Sequence, residues 1–524
     1  MITPENINEH NESLFQEQRS TFDSNKLIDL GNGFYGLGLV CLKVVRPKSG
    51  DPFILLHGIS FNKFRDLLIS YNLYKFYLYG AMMFVQKKGA VLRELTVNEI
   101  KDLIYPDLEN FQTLQVNIHG VEGEFTPEAQ REKLLKGYNS VFNKNFFELL
   151  PVLETEMYKD DSETAYLHFE NGTIKITKEK SELISFDVAR DKCVWESQII
   201  PRPISDNAKT KSMFEAFMEN VTNKDEKRLL ALRTGAGYLL HHYHKQSGGQ
   251  MVVLYDEQIT DIENPQGGTG KGLFVNGLKQ MRKTVKIDGK KFGGKDKFDF
   301  QEVNSDTQIL WIDDASKKLD IDRFNSITTD GFNVERKYKD SMIIPAEYAP
   351  KIVIASNIIL DCTGSTRIRR QFIVELAPYY SSKITVGNEE PIVAEHGCRF
   401  FSEQWTDEEW NTFYWYMIGS IQLYLKEGLK NVSAINRIEN RGKQILGEEF
   451  FYWAQDQSFE AGEIYETKAL FTDYKEAFDA NNESFKQRTF SNLLKKYFAL
   501  YNQSVEFRSV DDKGAKVANF VIKN

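Results

Sequence analysis

Residues 264–274 read NPQGGTGKGLF, a glycine-rich run of the kind whose backbone N–H groups cradle phosphates. The general form is G-x-x-x-x-G-K-[S/T], in which the lysine reaches the β- and γ-phosphates and the hydroxyl holds Mg²⁺. Gly267, Gly268, Thr269, Gly270, Lys271 and Gly272 are the phosphate-binding candidates. Pro265 stands where the first consensus glycine would be, and Gly272 where the hydroxyl would be. Such a loop predicts ATP with Mg²⁺, one direct metal ligand short. Mg²⁺ keeps several waters and often takes only one or two protein ligands. The substitution therefore predicts weaker metal affinity rather than lost activity.

The partners such a loop needs follow it. TQILWIDDA is an apolar strand ending in Asp313 and Asp314. Phosphoryl transfer needs one strand-end carboxylate for Mg²⁺ and another group to position the attacking water. Asp313 suits the first role and Asp314 the second. KIVIASN ends in Asn357, an amide able to touch the γ-phosphate or the water, because open α/β sheets bind ligands at the carboxyl ends of their strands. TRIRRQFIVEL places Arg367, Arg369 and Arg370 before a further strand. An arginine entering a neighbour's site is worth about 10³–10⁵ in rate. Between the acidic and amide strands, Asp330-Gly331 opens a hairpin-like excursion carrying Arg336, Lys337 and Lys339, candidates for DNA phosphates. Alone, each feature has an ordinary reading: an acidic turn, a turn asparagine, a solvated basic edge or hairpin. Their order along the chain joins them.

The elements that must position these residues read as an α/β protein: a P-loop core, a mixed α/β N-terminal region and a C-terminal winged helix. Residues 1 to about 25 are a loose tail, and an N-terminal accessory region runs to 205. In it, FYGLGLVCLKVV and GAMMFVQKKGAVLREL read as strands and VNEIKDLIY as a helix. Asn171-Gly172 is a two-residue hairpin turn. IIPRPISDN is a linker to the core at 206–385, which opens with a helical stretch from Ser212 to His244 and has MVVLY at 251–255 as its first strand. About ten residues separate that strand from the glycines, whereas the usual loop follows directly. Residues 386–524 turn helical. Thr406 and Glu409 have capping-box spacing, and Trp410, Phe413, Met417, Ile421 and Tyr424 share one helix face. From about 448 the order helix, helix, strand, DDKG turn, strand is that of a winged helix, with Phe490, Leu493, Leu494, Tyr497 and Phe498 as a core face and Arg488, Lys495 and Lys496 available to phosphate.

The series of P-loop, paired acids, basic hairpin, "SN" strand end and arginines resembles superfamily 3 helicases, in particular the poxvirus- and phage-type primase-helicase group. The likeness is strongest over 206–385 and extends loosely through YLHFENGTIKI and GYLL upstream and LFTDYKEAFDANNESFKQRTFSNLL downstream. It implies an AAA+-like core, ATP bound between the subunits of a ring, commonly a hexamer, and single-stranded or forked DNA threaded through it. By position it implies Lys271 for phosphate, Asp313 for Mg²⁺ and Asp314 as catalytic acid, where the family often has Glu. It further implies Asn357 as sensor, Lys337 as pore-hairpin lysine, and Arg370, then Arg369, as the finger.

The totals set bounds. A net charge of −9 means that any nucleic-acid contact must be a local basic surface. The polar first twenty residues lack a signal peptide's apolar stretch, no run is fit to cross a bilayer, and Cys41, Cys193, Cys362 and Cys398 form no C-x-x-C pair. A reducing bacterial cytoplasm, with no membrane partner, is the expectation. His241 and His244 are spaced as a metal pair but lack a nearby third ligand, so a helix-end cluster is expected. The lysine-rich 279–298 lines a channel or is a solvated loop. The expected function is an ATP-dependent DNA helicase of a phage, virus or mobile element, with a separate primase or other replication proteins as possible partners. Its rivals are a primase-helicase, for which no D-x-D with a supporting His is found in the first 200 residues, a nucleic-acid-stimulated ATPase for loading or defence, and a scaffold with a dead loop.

Overall fold

The structure, a computed structural model, describes residues 26–186, 192–206, 210–245, 249–258, 268–291, 298–317, 319–335, 337, 341–360, 369–384, 390–432, 436–478, 485–501, 503–512 and 515–523. It is mixed α/β with several sheets. The chain forms two compact units. One runs to Lys159 and adds Tyr166–Lys175 and Glu182–Pro203, and the other comprises Asp160–Ala165, Ile176–Ser181 and Ile204–Asn524.

In the first unit, four strands from Ile28 to Ile59 pair sequentially and antiparallel. A five-stranded sheet includes the expected strands Ala81–Lys88 and Val91–Leu95. The expected helix is present as Val97–Glu109, and Thr96 and Glu99 close a reciprocal capping box at its start. Its apolar side, Ile100 and Ile104, packs with Phe64, Leu68, Leu73 and Phe147. The turn at Asn171-Gly172 joins strands Thr164–Phe169 and Gly172–Thr177, which neighbour each other.

The second unit is built on five parallel strands: β1 (Met251–Asp256), β2 (Thr284–Asp288), β3 (Ile309–Asp313), β4 (Lys351–Ala355) and β5 (Gln371–Leu376). They lie in the order β2-β3-β4-β1-β5. β1 and β4 are buried along their whole length, as expected of parallel strands covered on both faces. The first strand of the core thus lies between β4 and β5. Chain order reverses there, which opens a crevice beyond the carboxyl ends.

The helical stretch expected from Ser212 to His244 consists of two helices, α1 (Met213–Asn220) and α2 (Glu226–Leu240). Asn223 and Lys224 break it with φ of 53° and 59°, and the Asp225 side chain restarts it by accepting the Arg228 N–H at 2.9 Å. After β1, α3 (Lys271–Lys279) leads to β2. The long helix α4 (Asp407–Glu427) buries Trp410, Phe413, Met417 and Ile421 as expected. It approaches α2 so closely that a Cβ on Gly237 would stand 2.1 Å from the Ser420 carbonyl oxygen. Only half of its capping box forms. Thr406 accepts the Glu409 N–H at 3.2 Å, but the Glu409 carboxylate accepts the Met213 N–H at 2.7 Å, so one residue serves two helix starts.

Beyond α5 (Arg437–Leu446) come helices Glu448–Asp456, Thr467–Phe478 and Gln487–Leu500, then paired strands Ser504–Asp512 and Ala515–Lys523. A short strand, Ile464–Glu466, adds to the far side of Ala515–Lys523. Phe490, Leu494, Tyr497 and Phe498 are buried in this region's core, with Leu493 packed against it.

Candidate functional site

The crevice holds a cavity of about 390 Å³ lined by Gly268, Thr269, Gly270, Lys271, Gly272, Asp313, Asp314 and Asn357, with Leu273, Ala355, Tyr380 and Ile392 completing the wall. Residues from five separate stretches of sequence therefore meet at one place. Gly267 and the rest of 259–267 lie outside the described residues.

The glycines have physical reasons. Gly270 is the N-cap of α3 and has φ +106°, a conformation that side-chain-bearing residues rarely adopt. A Cβ there would also stand 2.8 Å from the Phe217 ring. At Gly272, by contrast, a Cβ meets nothing within 4 Å. The loop delivers the start of α3 to the cavity, where unpaired backbone N–H groups favour an anion.

Lys271 is 8 % exposed and Asp256 4 %. The Lys271 Nζ donates to Asp256 Oδ1, as does the Thr269 hydroxyl. Burial pushes the ammonium below its usual range, while Asp256, and more weakly Asp314 and Asp313, pull it back up.

Opposite the loop, Asp313 ends β3 and Asp314 turns out of it with φ 53°, left-handed backbone that aspartate tolerates. The next backbone N–H, of Ala315, donates to the Ala355 carbonyl at 2.9 Å, tying the acidic turn to β4. Asn357, two residues past β4, donates from Nδ2 to Asp314 Oδ1 at 3.3 Å. Ser356 fixes that exit, its hydroxyl donating to the Ala315 carbonyl at 3.0 Å. Two lysines of the 279–298 run also reach the acids. Lys286 on β2 lies 2.7 Å from Asp313 Oδ2, and Lys290 2.5 Å from Asp314 Oδ2. On the remaining wall, Tyr380 stacks on Phe217 and bonds Asn220 at 3.0 Å and His396 at 2.7 Å. Burial raises its hydroxyl to about 12.

Other candidates lie elsewhere. Arg369 and Arg370 precede β5, and their carbonyls accept from Gln250 Nε2 at 3.0 Å and the Met251 N–H at 2.8 Å. They sit at the amino ends of β5 and β1, while the cavity is at the carboxyl ends. At about 3.3 Å per residue, a six-residue strand puts them roughly 17 Å away. The excursion after Asp330-Gly331 is a two-stranded hairpin, Phe332–Val334 against Met342–Ile344. Lys337 is exposed there, its Nζ 5.6 Å from the centre of the Phe298 ring, whereas Arg336 and Lys339 lie outside the described residues. His241 ends α2 and bonds the Asp161 carbonyl at 2.7 Å. No group of three or more metal-ligating side chains occurs among the described residues.

Sequence reasoning missed Asp256, Lys286, Lys290 and Tyr380. Asp256 carried a readable signal, since it ends the apolar run MVVLYD just as Asp313 ends ILWID.

Residues 264–370 match a family described as of unknown function, DUF5906. No curated protein matches the chain. Among solved structures, the apo NrS-1 C-terminal region is 12 % identical, with a TM-score of 0.42, over 88 % of this chain and 98 % of that one. A second, A-form apo structure of that region gives 12 % and 0.40 over 88 % and 99 %. No described helix is long and apolar enough to cross a membrane.

Proposed function

We propose that this chain is a P-loop ATPase that works on DNA as a ring-forming helicase of the superfamily 3 type. The observation that carries the reading is the single cavity onto which Gly268–Gly272, Asp313, Asp314 and Asn357 converge at the carboxyl ends of a parallel sheet. Its contents fit ATP with Mg²⁺: a helix start and a buried lysine for phosphate, and a strand-end carboxylate for a hard cation. Gly268, Thr269, Gly270 and Lys271 would hold the phosphates, and Asp313 the metal. Mg²⁺ supplies charge neutralisation on the phosphates. Asp314, which accepts from Asn357, would orient and deprotonate the attacking water.

Arg370 and Arg369 lie at the far end of their own sheet, so a role at phosphate requires a neighbouring subunit's site, which is what a ring, for example a hexamer, would provide. Lys337, on the hairpin between β3 and β4, is the candidate contact to single-stranded DNA. The C-terminal region, with the element order of a winged helix and exposed Lys495 and Lys496 on its last helix, would offer a second basic surface.

The test is ATP turnover with and without single-stranded DNA, followed by strand displacement on a forked duplex. Turnover stimulated by DNA together with unwinding supports the helicase. Stimulated turnover without unwinding leaves a loader or sensor ATPase, and no turnover leaves a scaffold. Lys337→Ala should abolish unwinding and flatten the salt dependence of DNA binding, by roughly 0.7 in slope per lost phosphate contact on single strands, while basal ATPase survives. Normal unwinding by that variant rejects the hairpin assignment.

A further inference from the structure

The carboxylate under the glycine loop has no place in the pattern G-x-x-x-x-G-K-[S/T]. Asp256 is the last residue of β1, and its Oδ1 accepts from both the Lys271 ammonium and the Thr269 hydroxyl. All three residues are buried, with Thr269 and Asp256 each 4 % exposed. A buried ammonium is costly unless it is paired and hydrogen-bonded. Two other carboxylates that act on Lys271, Asp313 and Asp314, are themselves paired with Lys286 and Lys290.

We propose that Asp256 is the positioning residue of the phosphate-binding loop: it fixes the Lys271 ammonium and the Thr269 hydroxyl against the end of β1, and thereby sets the site's affinity for a polyphosphate. The inference rests on the nucleotide reading above. It also addresses the separation of strand from glycines. In the usual loop the strand runs straight into the turn, and chain continuity places the lysine. Here residues 257–267 intervene, and one carboxylate oxygen ties the far end of that insertion, at Thr269 and Lys271, back to the strand it left.

Removing the carboxylate has a consequence that mere loosening of the loop lacks. Burial pushes the Lys271 ammonium down and Asp256 is the largest influence raising it, with Asp314 and Asp313 behind. Without Asp256 the lysine sheds its proton at lower pH, so phosphate binding must fall away at lower pH than in the wild type.

The experiment is binding of a fluorescent ATP analogue with Mg²⁺, from pH 7 to 10, by the full chain and by Asp256→Asn. The expected result is binding weakened roughly ten- to a hundredfold at pH 7.5, the scale of losing a charge-assisted hydrogen bond, and a binding profile displaced toward lower pH. Should Asp256→Asn not fold, Asp256→Glu carries the test, because it keeps the charge on a longer arm. Weaker binding with the wild-type pH profile is then expected, and wild-type affinity overturns the inference. Asp256→Asn with wild-type affinity and profile overturns it as well. Wild-type protein that binds no nucleotide overturns the ATPase reading, and this inference with it.

Discussion

Asn357 and Asp314 meet just past the ends of the neighbouring strands β4 and β3, the amide Nδ2 donating to the carboxylate Oδ1 at 3.3 Å from a strand exit that Ser356 pins in place. An amide has no charge to lose, so its service to the carboxylate is orientation. It leaves the second oxygen to Lys290 or to a reacting water.

Asp314→Asn should fold normally, since asparagine also tolerates the left-handed backbone found there. Turnover of ATP should fall by about 10²–10⁴, the usual worth of a positioned acid–base group, with nucleotide affinity retained. Asn357→Ala should lower turnover less. Steady-state ATPase kinetics beside analogue binding check both, and an Asp314→Asn enzyme with near-normal turnover removes Asp314 from the chemistry.

Gly272 lacks the metal-holding hydroxyl, yet the space beside it is open and its backbone is not left-handed. Gly272→Ser should therefore fold and reduce the Mg²⁺ concentration needed for half-maximal ATPase. Gly270→Ala is the contrast. Its φ and the Phe217 ring oppose any side chain, and it should lose both stability and nucleotide binding. Mg²⁺ titrations that superimpose for wild type and Gly272→Ser would show that the missing hydroxyl costs nothing.

Arg370→Ala should leave nucleotide binding intact and abolish turnover, because the arginine lies at the opposite end of its own sheet and, in the proposed ring, would serve only a neighbour's site. Mixing it with Lys271→Ala subunits should restore part of the activity, since an intact arginine then faces an intact loop. Verified mixed rings with no recovery would count against a shared site.

The buried cluster beside the start of β4 should make stability depend on pH. The Lys351 ammonium donates to the Tyr243 carbonyl at 2.5 Å and lies 4.2 Å from the centre of the Tyr238 ring. Burial pushes it from 10.5 to about 7. Between those values the unfolded chain binds a proton that the native one does not, so stability rises with pH across that window, by at most about 1.4 kcal/mol per unit. His242 is pushed from 6.5 to about 3, mainly by burial. Its contribution is present above pH 6.5 and drains away as pH falls toward 3. Chemical unfolding at pH 7 and 9 should show a larger gain for wild type than for Lys351→Met. Equal gains would mean that Lys351 is not depressed.

Much of the candidate site could be read in the sequence because its chemistry sits at strand ends, where an apolar run stops at a polar residue. Asp313, Asp314 and Asn357 announce themselves in that way, and the structure places them on one cavity. Asp256 has the same signature but was masked by the insertion that follows it. The break between α1 and α2 lies in TNKD, turn-prone residues overlooked beside strong apolar periodicity. Glu409 could not have been read at all. At capping-box spacing it caps a second helix almost two hundred residues upstream, and local spacing does not report a partner that only the tertiary fold supplies. The arginines were readable as residues but not as places, because which end of the sheet they occupy depends on strand order.

One helix, α5, grips both lips of the crevice. The side chains of Asn436, just before it, and of Asn440 on it donate to the Glu257 carbonyl at 3.2 and 2.9 Å, one residue past Asp256. Gln444, one turn further along, takes both backbone groups of Ile359, two residues past Asn357, at 2.8 and 2.9 Å. The lips are therefore yoked to a common rod. They cannot spread independently, and a load applied to the rod is shared between the strand that feeds the glycine loop and the strand that carries the amide.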